Sequence, residues 1–404
     1  MKKLSFWLSL LLVFTIPWEA VIEHPVLGTI TRIIGFALAV SWTLYVLFSG
    51  HVRKPEFFHI ALCAFVALNA ASILWSTDAD RTITHILTWA QLLVMSFIFW
   101  DLYTTRTQIL AALQMYVLGC YVVFGCTVIN YIGGQSFYSG RFSAEGTSPD
   151  DLAVILALGV SAAAYLAAFR PADRIVMPLR ILNCTYIVAA LSGIVLSGTR
   201  TALIVAFPGI LFSIALWAQS KRSARITVAA VLIALTVVLF PLVPESSMNR
   251  LGTTRTELQT GDLNGRVELW KEGLQSFKRH PLLGVGSNMF RSVNSEYKVA
   301  HNSFLSVLVE LGMGGFLLFV LIVGNAALHA LSQPRREMWL WMCILVSWGI
   351  GASALTWEYQ KATWLLLSLI VASAAAMPAD DDAVLREECF TAQCAAATGS
   401  PARF

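Results

Sequence analysis

The chain has 404 residues, of which 57% are hydrophobic and 13% charged, whereas an ordinary soluble domain is about half apolar and a quarter charged. That balance excludes a water-soluble globular protein and requires the excess to be placed in lipid. The net charge of +4 is small; its distribution matters more than its sum, and no nucleic-acid partner is expected.

The amino terminus opens Met1-Lys2-Lys3 and runs apolar to about Ile16, as a secretory signal would. Pro17 is followed by Trp18-Glu19-Ala20-Val21 rather than a small-x-small cleavage site, so the segment is expected to stay as a first transmembrane helix. Apolar runs of roughly 20 residues, each long enough to cross a bilayer as a helix, then recur to the end of the chain. The hydropathy pattern predicts an all-α polytopic membrane protein with about twelve spans. They fall near 4–20, 29–49, 57–75, 82–102, 108–131, 151–169, 179–197, 200–218, 226–242, 302–328, 337–354 and 361–377.

An even number of spans puts both termini on one side. Fifteen Lys and Arg residues lie on that terminal side, while the short connections opposite carry only Arg32, Arg81, Arg141, Arg200 and Lys361. The positive-inside rule then makes both termini cytoplasmic. One membrane domain is expected over residues 1–378, with a cytoplasmic tail from 379 to 404. Five cysteines (Cys63, Cys120, Cys126, Cys184 and Cys343) lie inside apolar runs, where they act as small hydrophobes. Cys389 and Cys394 fall in the tail, and neither a disulfide framework nor a metal-ligand spacing is present.

The one large hydrophilic insertion, about 243–300, is expected on the extracytoplasmic side and is the place to look for function. Within it Val267, Trp270, Leu274 and Phe277 recur at helical spacing, with Arg266, Lys271, Glu272, Lys278 and Arg279 on other faces. The pattern predicts an amphipathic helix suited to the headgroup plane. A shorter polar connection, 132–150, carries Arg141 and ends at Ser148-Pro149-Asp150.

Three features distant in sequence fall on this same face. Span seven exits into Ser197-Gly198-Thr199-Arg200-Thr201. If Thr199 caps span eight, Arg200 occupies its first turn, where free N–H groups and the helix dipole already favour an anion. A guanidinium there suits a phosphate held between the two; the plain alternative is an interfacial anchor. Arg266 opens the amphipathic helix in the same way, with pairing to Glu268 or Asp262 as its alternative. His301-Asn302-Ser303 stands where the long loop meets span ten, at the depth of Arg200 by topology. A histidine with an ordinary pKa near 6.5 can take a proton at neutral pH, although lone interfacial histidines are commonly polar anchors. Glu310, inside the same apolar helix, is costly to bury. Helical geometry turns it to the far side of the helix from His301 and about 13 Å deeper, which fits a positioning role. His280, before Pro281, is read as part of a turn.

Ser197-Gly198-Thr199-Arg200-Thr201-Ala202, Gly265-Arg266-Val267-Glu268-Leu269-Trp270, His280-Pro281-Leu282-Leu283-Gly284-Val285-Gly286 and His301-Asn302-Ser303-Phe304-Leu305, followed by Glu310-Leu311-Gly312-Met313-Gly314-Gly315, come in a telling order. In that order and spacing they resemble the bacterial O-antigen ligases, within the O-antigen ligase and polymerase superfamily. Trp75-Ser76-Thr77-Asp78 and Arg141 with Ser148-Pro149-Asp150 extend the resemblance over about 75–330. It implies transfer of a glycan from undecaprenyl diphosphate to lipid A-core oligosaccharide at the periplasmic face of the inner membrane, with inversion and without a metal or other cofactor. On that pattern Arg200 and Arg266 hold the diphosphate and His301 deprotonates or orients the attacking hydroxyl. Arg141, Asn302 and Trp270 join Arg200 and Arg266 as expected substrate contacts, Arg141 on a cleft wall where its loss should leave expression intact.

Within the superfamily a polymerase extends the glycan itself, and a protein-glycosylating member usually carries a sizeable soluble extension. Compact length and a single large loop favour the ligase by fold-level analogy. A transporter also suits twelve spans, but would collect charge at mid-membrane on broken helices, whereas here the charged candidates gather at one interface. The topology is tested by single-cysteine labelling in an otherwise cysteine-free chain. An impermeant reagent applied from outside should modify a reporter within 243–300 and spare one at position 175; the reverse pattern overturns the orientation.

Overall fold

The computed structural model describes residues 1–25, 28–138, 140–169, 177–220 and 265–376, with scattered residues between 222 and 237. In chain order the described helices are α1 (Lys2–Thr15), α2 (Ile30–Ser49), α3 (Phe57–Ala71, continued by a 3-10 turn to Leu74), α4 (Ala79–Leu102), α5 (Arg106–Ile132) and α6 (Pro149–Phe169). They continue as α7 (Met177–Ser197), α8 (Arg200–Ala218), α9 (Arg266–Arg279), α10 (Ser303–Leu331), α11 (Arg335–Ala352) and α12 (Lys361–Ala376).

Eight of these, α2 to α8 and α10, are long and apolar enough to cross a membrane. The other expected spans take shorter or more polar forms. The first is a 14-residue helix that tightens into a 3-10 turn at Ile16–Trp18, where Pro17 removes a backbone donor. The eleventh, α11, begins with Arg335, Arg336 and Glu337, and the twelfth, α12, runs Lys361–Ala376. The expected span at 226–242, the first part of the long loop (243–264) and the tail from 379 lie outside the described residues, apart from isolated positions before 238.

α6 forms the centre of the bundle, packing against α5, α7, α8 and α11. Its buried surface includes a run of small side chains, Ala153, Ala157, Gly159, Ala162 and Ala163, beside larger ones such as Leu156 and Tyr165, and the small ones let neighbouring backbones approach closely. A Cβ at Gly159 would lie 2.3 Å from the Tyr186 hydroxyl, and that hydroxyl donates to Leu156 O at 2.9 Å across the α6–α7 contact. α12 is buried almost throughout, as expected of a helix apolar on every face.

α10 is not a continuous helix. At Gly312 the backbone turns to φ +65°, ψ −165°, and the freed groups are taken up by the 280–290 segment, which folds into the break. Val285 N donates to Val309 O (3.1 Å), Gly286 N to Glu310 O (2.9 Å) and Met313 N to Pro281 O (2.8 Å). Glu310, expected to act in positioning, accepts from Asn288 N (2.7 Å) and Phe290 N (3.1 Å) with its two carboxylate oxygens. Non-helical backbone within a bundle persists only where every polar group finds such a partner. Ser287 seals the other side, donating to Asn69 Oδ1 at 2.7 Å and carrying its N–H to Ser72 Oγ at 3.0 Å.

The amphipathic helix occupies the expected register but packs on protein. Its inward face centres on Leu269 and Gly273, and a Cβ at Gly273 would meet the Phe290 ring at 2.7 Å. Leu274, expected on the apolar stripe, lies at the edge of that face and is exposed.

Gly284 (φ +67°) comes so close to the break that an added Cβ would lie 2.4 Å from the Glu310 carbonyl carbon. Gly284→Ala is therefore expected to lose at least about 1–3 kcal/mol from its left-handed backbone alone, with a lower thermal midpoint in detergent. Gly324, on the same helix with nothing within 4 Å, provides the comparison. Gly324→Ala should be neutral or stabilising by up to about 1 kcal/mol.

Candidate active site

The α7–α8 junction turns at Gly198, with φ +61°. Thr199 stands at the N-cap of α8, but its hydroxyl does not cap the helix. Thr199 Oγ1 instead accepts from Arg141 Nη2 at 2.7 Å and shares its proton between Pro149 O and Asp150 Oδ1, each 3.0 Å away. The first-turn N–H groups beside Arg200 are thus not taken by the residue that would ordinarily cap them. Arg200 itself is half-buried at the first position of the helix.

Arg141 is 3% exposed. Its Nε donates to Ser197 O (2.7 Å), Nη1 to the Tyr138 hydroxyl (2.6 Å), and Nη2 to both Asp150 Oδ1 (2.6 Å) and Thr199 Oγ1. Four of the five guanidinium N–H donors are committed to the protein. The residue expected on a cleft wall is a buried tie between the 138–150 connection, the start of α6 and the α7–α8 turn.

Arg266 follows Gly265, whose φ of +78° makes the sharp entry into α9. Its Nη1 donates to Ala354 O at 3.0 Å, which fixes the side chain against the α11–α12 connection. Burial holds the guanidinium below its ordinary arginine value; Asp150 and Tyr138 oppose that shift and Arg141 adds to it. Asp150 therefore faces both arginines.

His301 has φ +48°, in the left-handed region where a non-glycine residue is uncommon and usually held in place by its surroundings. Here the hold comes from both sides. Trp270 Nε1 donates to Ala300 O (2.9 Å), and His301 N donates to Thr356 Oγ1 (3.0 Å). Asn302 caps α10 by accepting from Leu305 N at 3.1 Å, and Ser303 Oγ accepts from Trp357 N at 2.7 Å while donating to Leu355 O. Trp270 and Asn302, expected to touch substrate, thus serve as braces for the histidine. The imidazole ring is half-buried, and neither of its nitrogens is hydrogen bonded to a described residue. Burial pulls its pKa below 6.5; Arg266 pulls it further, Asp150 opposes, and Lys298 and Arg291 add smaller downward effects.

The structure therefore brings Arg266, His301, Asp150 and Arg141 into one electrostatic neighbourhood at the loop end of the bundle, with Arg200 adjoining through the α8 start. Asp150 was quoted from sequence only within the Ser148-Pro149-Asp150 motif, with no role of its own, and the 354–357 segment was not singled out. Asp150 sits at a helix start, the ordinary place for a carboxylate, while the dense Leu355-Thr356-Trp357-Glu358 run between two apolar helices was the available signal for the other. Among the described residues no group of three or more His, Cys, Asp or Glu side chains is placed to hold a metal ion.

Removing Arg141 leaves Asp150 without its charge partner in a mostly buried setting, a change that typically costs about 3–5 kcal/mol. Arg141→Ala is accordingly expected to lower the thermal midpoint and the yield of folded protein, in place of the selective loss of transfer that its sequence position suggested. Arg141→Lys should restore little of either, since one ammonium cannot reach four acceptors. An Arg141→Ala protein of unchanged midpoint would return the residue to the cleft wall.

A search of curated proteins found no match. Residues 185–320, a third of the chain, match the family model described as O-Antigen ligase, and the matched stretch takes in Arg200, Arg266, the turn at 280–286 and His301. Over that third the chain is similar to the O-antigen ligase superfamily; Arg266 and His301 of the gathered residues lie within the match, and Arg141 and Asp150 lie before it.

Proposed function

We propose that the protein is an O-antigen ligase of the bacterial inner membrane. It would transfer a glycan from undecaprenyl diphosphate to lipid A-core oligosaccharide, with the loop end of the bundle facing the periplasm. The observation that carries this reading is a braced, half-buried imidazole on which a neighbouring guanidinium acts, next to a helix start whose N–H groups are not capped by Thr199.

In this mechanism Arg200, the α8 amides and Arg266 bind the donor's diphosphate. The acceptor hydroxyl oxygen attacks the anomeric carbon from the face opposite the diphosphate, so the new glycosidic bond forms with inversion as the old C–O bond breaks. The bonding pair leaves with the diphosphate, where the arginines meet the growing charge. The hydroxyl proton passes to His301. Its depressed pKa keeps the ring neutral, and so able to accept that proton, at neutral pH. Asp150 stands opposite the resulting imidazolium and offsets its charge.

Two expectations separate these roles. Arg200→Lys and Arg266→Lys should raise the donor KM by about ten- to a hundred-fold, because a lysine lacks the planar two-pronged donor. His301→Ala should lower kcat by about 10²–10⁴-fold while donor binding persists. The acid limb of the wild-type kcat/KM profile, which reports the free enzyme, should lie below pH 6.5: the base works only when neutral, it is neutral above its pKa, and that pKa is lowered. The deciding assay combines purified protein, lipid-linked O-antigen and lipid A-core in the presence of EDTA. A lipopolysaccharide ladder supports the ligase; elongation of the lipid-linked glycan alone identifies a polymerase; a His301→Ala protein that transfers normally but loses donor binding reassigns the histidine to the phosphates.

A further inference from the structure

Behind the cluster just described lies a second concavity that none of its residues enters. The cavity, about 140 Å³, opens between the end of α1, the 146–148 turn, the start of α6 and the α11–α12 connection. It adjoins the candidate site along the chain, since Asp151 follows Asp150 and Trp357 follows the Thr356 that holds His301. Its lining is a built polar surface. Asp151 is fixed on both oxygens, by Trp357 Nε1 at 2.7 Å and by the Ser148 hydroxyl at 2.7 Å. Lys361 and Glu19 form an ion pair across the mouth, each side chain mostly buried. Two further polar residues line the space, Thr147, 8% exposed, and Gln360, and neither side chain is hydrogen bonded to a described residue.

The charges select against phosphate. Two carboxylates and one ammonium line the cavity, whereas the diphosphate ligands Arg200 and Arg266 lie outside it. A hydroxyl, a carboxamide that can both donate and accept and a fixed carboxylate, against the buried indole of Trp357, together match a ligand bearing several neutral hydroxyl groups. From this geometry we infer that the cavity is a subsite for one uncharged pyranose, lying beside the reacting centre and read by Thr147 and Gln360. The inference rests on the glycosyl-transfer reading. The sugar could come from the acceptor or from the first residues of the donor glycan, and the two sources share this chemistry.

The test uses the full chain in lipid nanodiscs and measures binding apart from turnover. Two probes are titrated separately: core oligosaccharide freed of lipid A, and the neutral glycan released from the lipid-linked donor. Gln360→Ala and Thr147→Val are each expected to weaken binding of one probe by about tenfold, the effect of losing one hydrogen bond to a ligand. The probe affected identifies the source. In the transfer assay the same variants should raise KM for that substrate by a similar factor with kcat within about twofold, and Gln360→Asn should recover part of the loss. Thr147→Val nearly preserves shape, so it remains informative if Gln360→Ala folds poorly. Wild-type protein that binds neither probe, or variants that bind both as wild type does, would overturn the subsite. Absence of any transfer by wild-type protein that binds a probe would instead count against the catalytic reading.

Discussion

A single buried guanidinium sets the geometry of the loop end. Arg141 joins a carbonyl at the end of α7, a hydroxyl at the cap of α8, a carboxylate at the start of α6 and the tyrosine of its own connection. Burying a charge is tolerable only when nearly all of its donors are satisfied, so these segments must meet at one point or pay for the unsatisfied charge. Two consequences follow for the neighbouring residues. Thr199 is drawn away from capping α8, and Asp150 is held where its charge acts on Arg266 and His301.

The histidine is positioned by a second construction that starts 30 residues further along the chain from the turn it depends on. The 280–290 segment enters the bundle because α10 breaks at Gly312, and Glu310 holds the entering backbone by two N–H groups. This brings Phe290 beneath Gly273 and so seats α9, whose Trp270 in turn holds Ala300. The conformation of His301 is therefore the end of a chain of contacts that runs through buried backbone. The motif residues around 280–286 and 310–315 act on the site through that chain and touch none of it directly.

Much of this was legible in the sequence, and the limits have physical causes. The positions of the eight helices long and apolar enough to cross follow from hydropathy, because lipid imposes one requirement on every residue of a crossing helix. The start of α9 and the junction at Arg200 were readable because helix termini carry local signals, a glycine before Arg266 and a threonine before Arg200. The break in α10 was not, since Glu310-Leu311-Gly312-Met313-Gly314-Gly315 reads as continuous apolar helix until the distant segment that satisfies its carbonyls is in place. Arg141 was read as a substrate contact on a cleft wall because its partners at 138, 150, 197 and 199 converge only in the fold. Of the apolar stripe read for α9, Val267, Trp270 and Phe277 are partly buried and Phe277 packs on the Phe290 cluster, whereas Leu274 is exposed and Leu269 and Gly273 take the innermost places against protein.

The left-handed backbone at His301 also governs how substitutions there are to be interpreted. Most side chains with a Cβ lose about 1–2 kcal/mol in that conformation, while asparagine enters it readily. Alanine at 301 thus changes two things together, removing the imidazole and biasing the local chain toward another shape. Asparagine takes away the proton acceptor and leaves the backbone preference in place, so the difference between the two variants measures how much of the residue's importance is conformational rather than chemical.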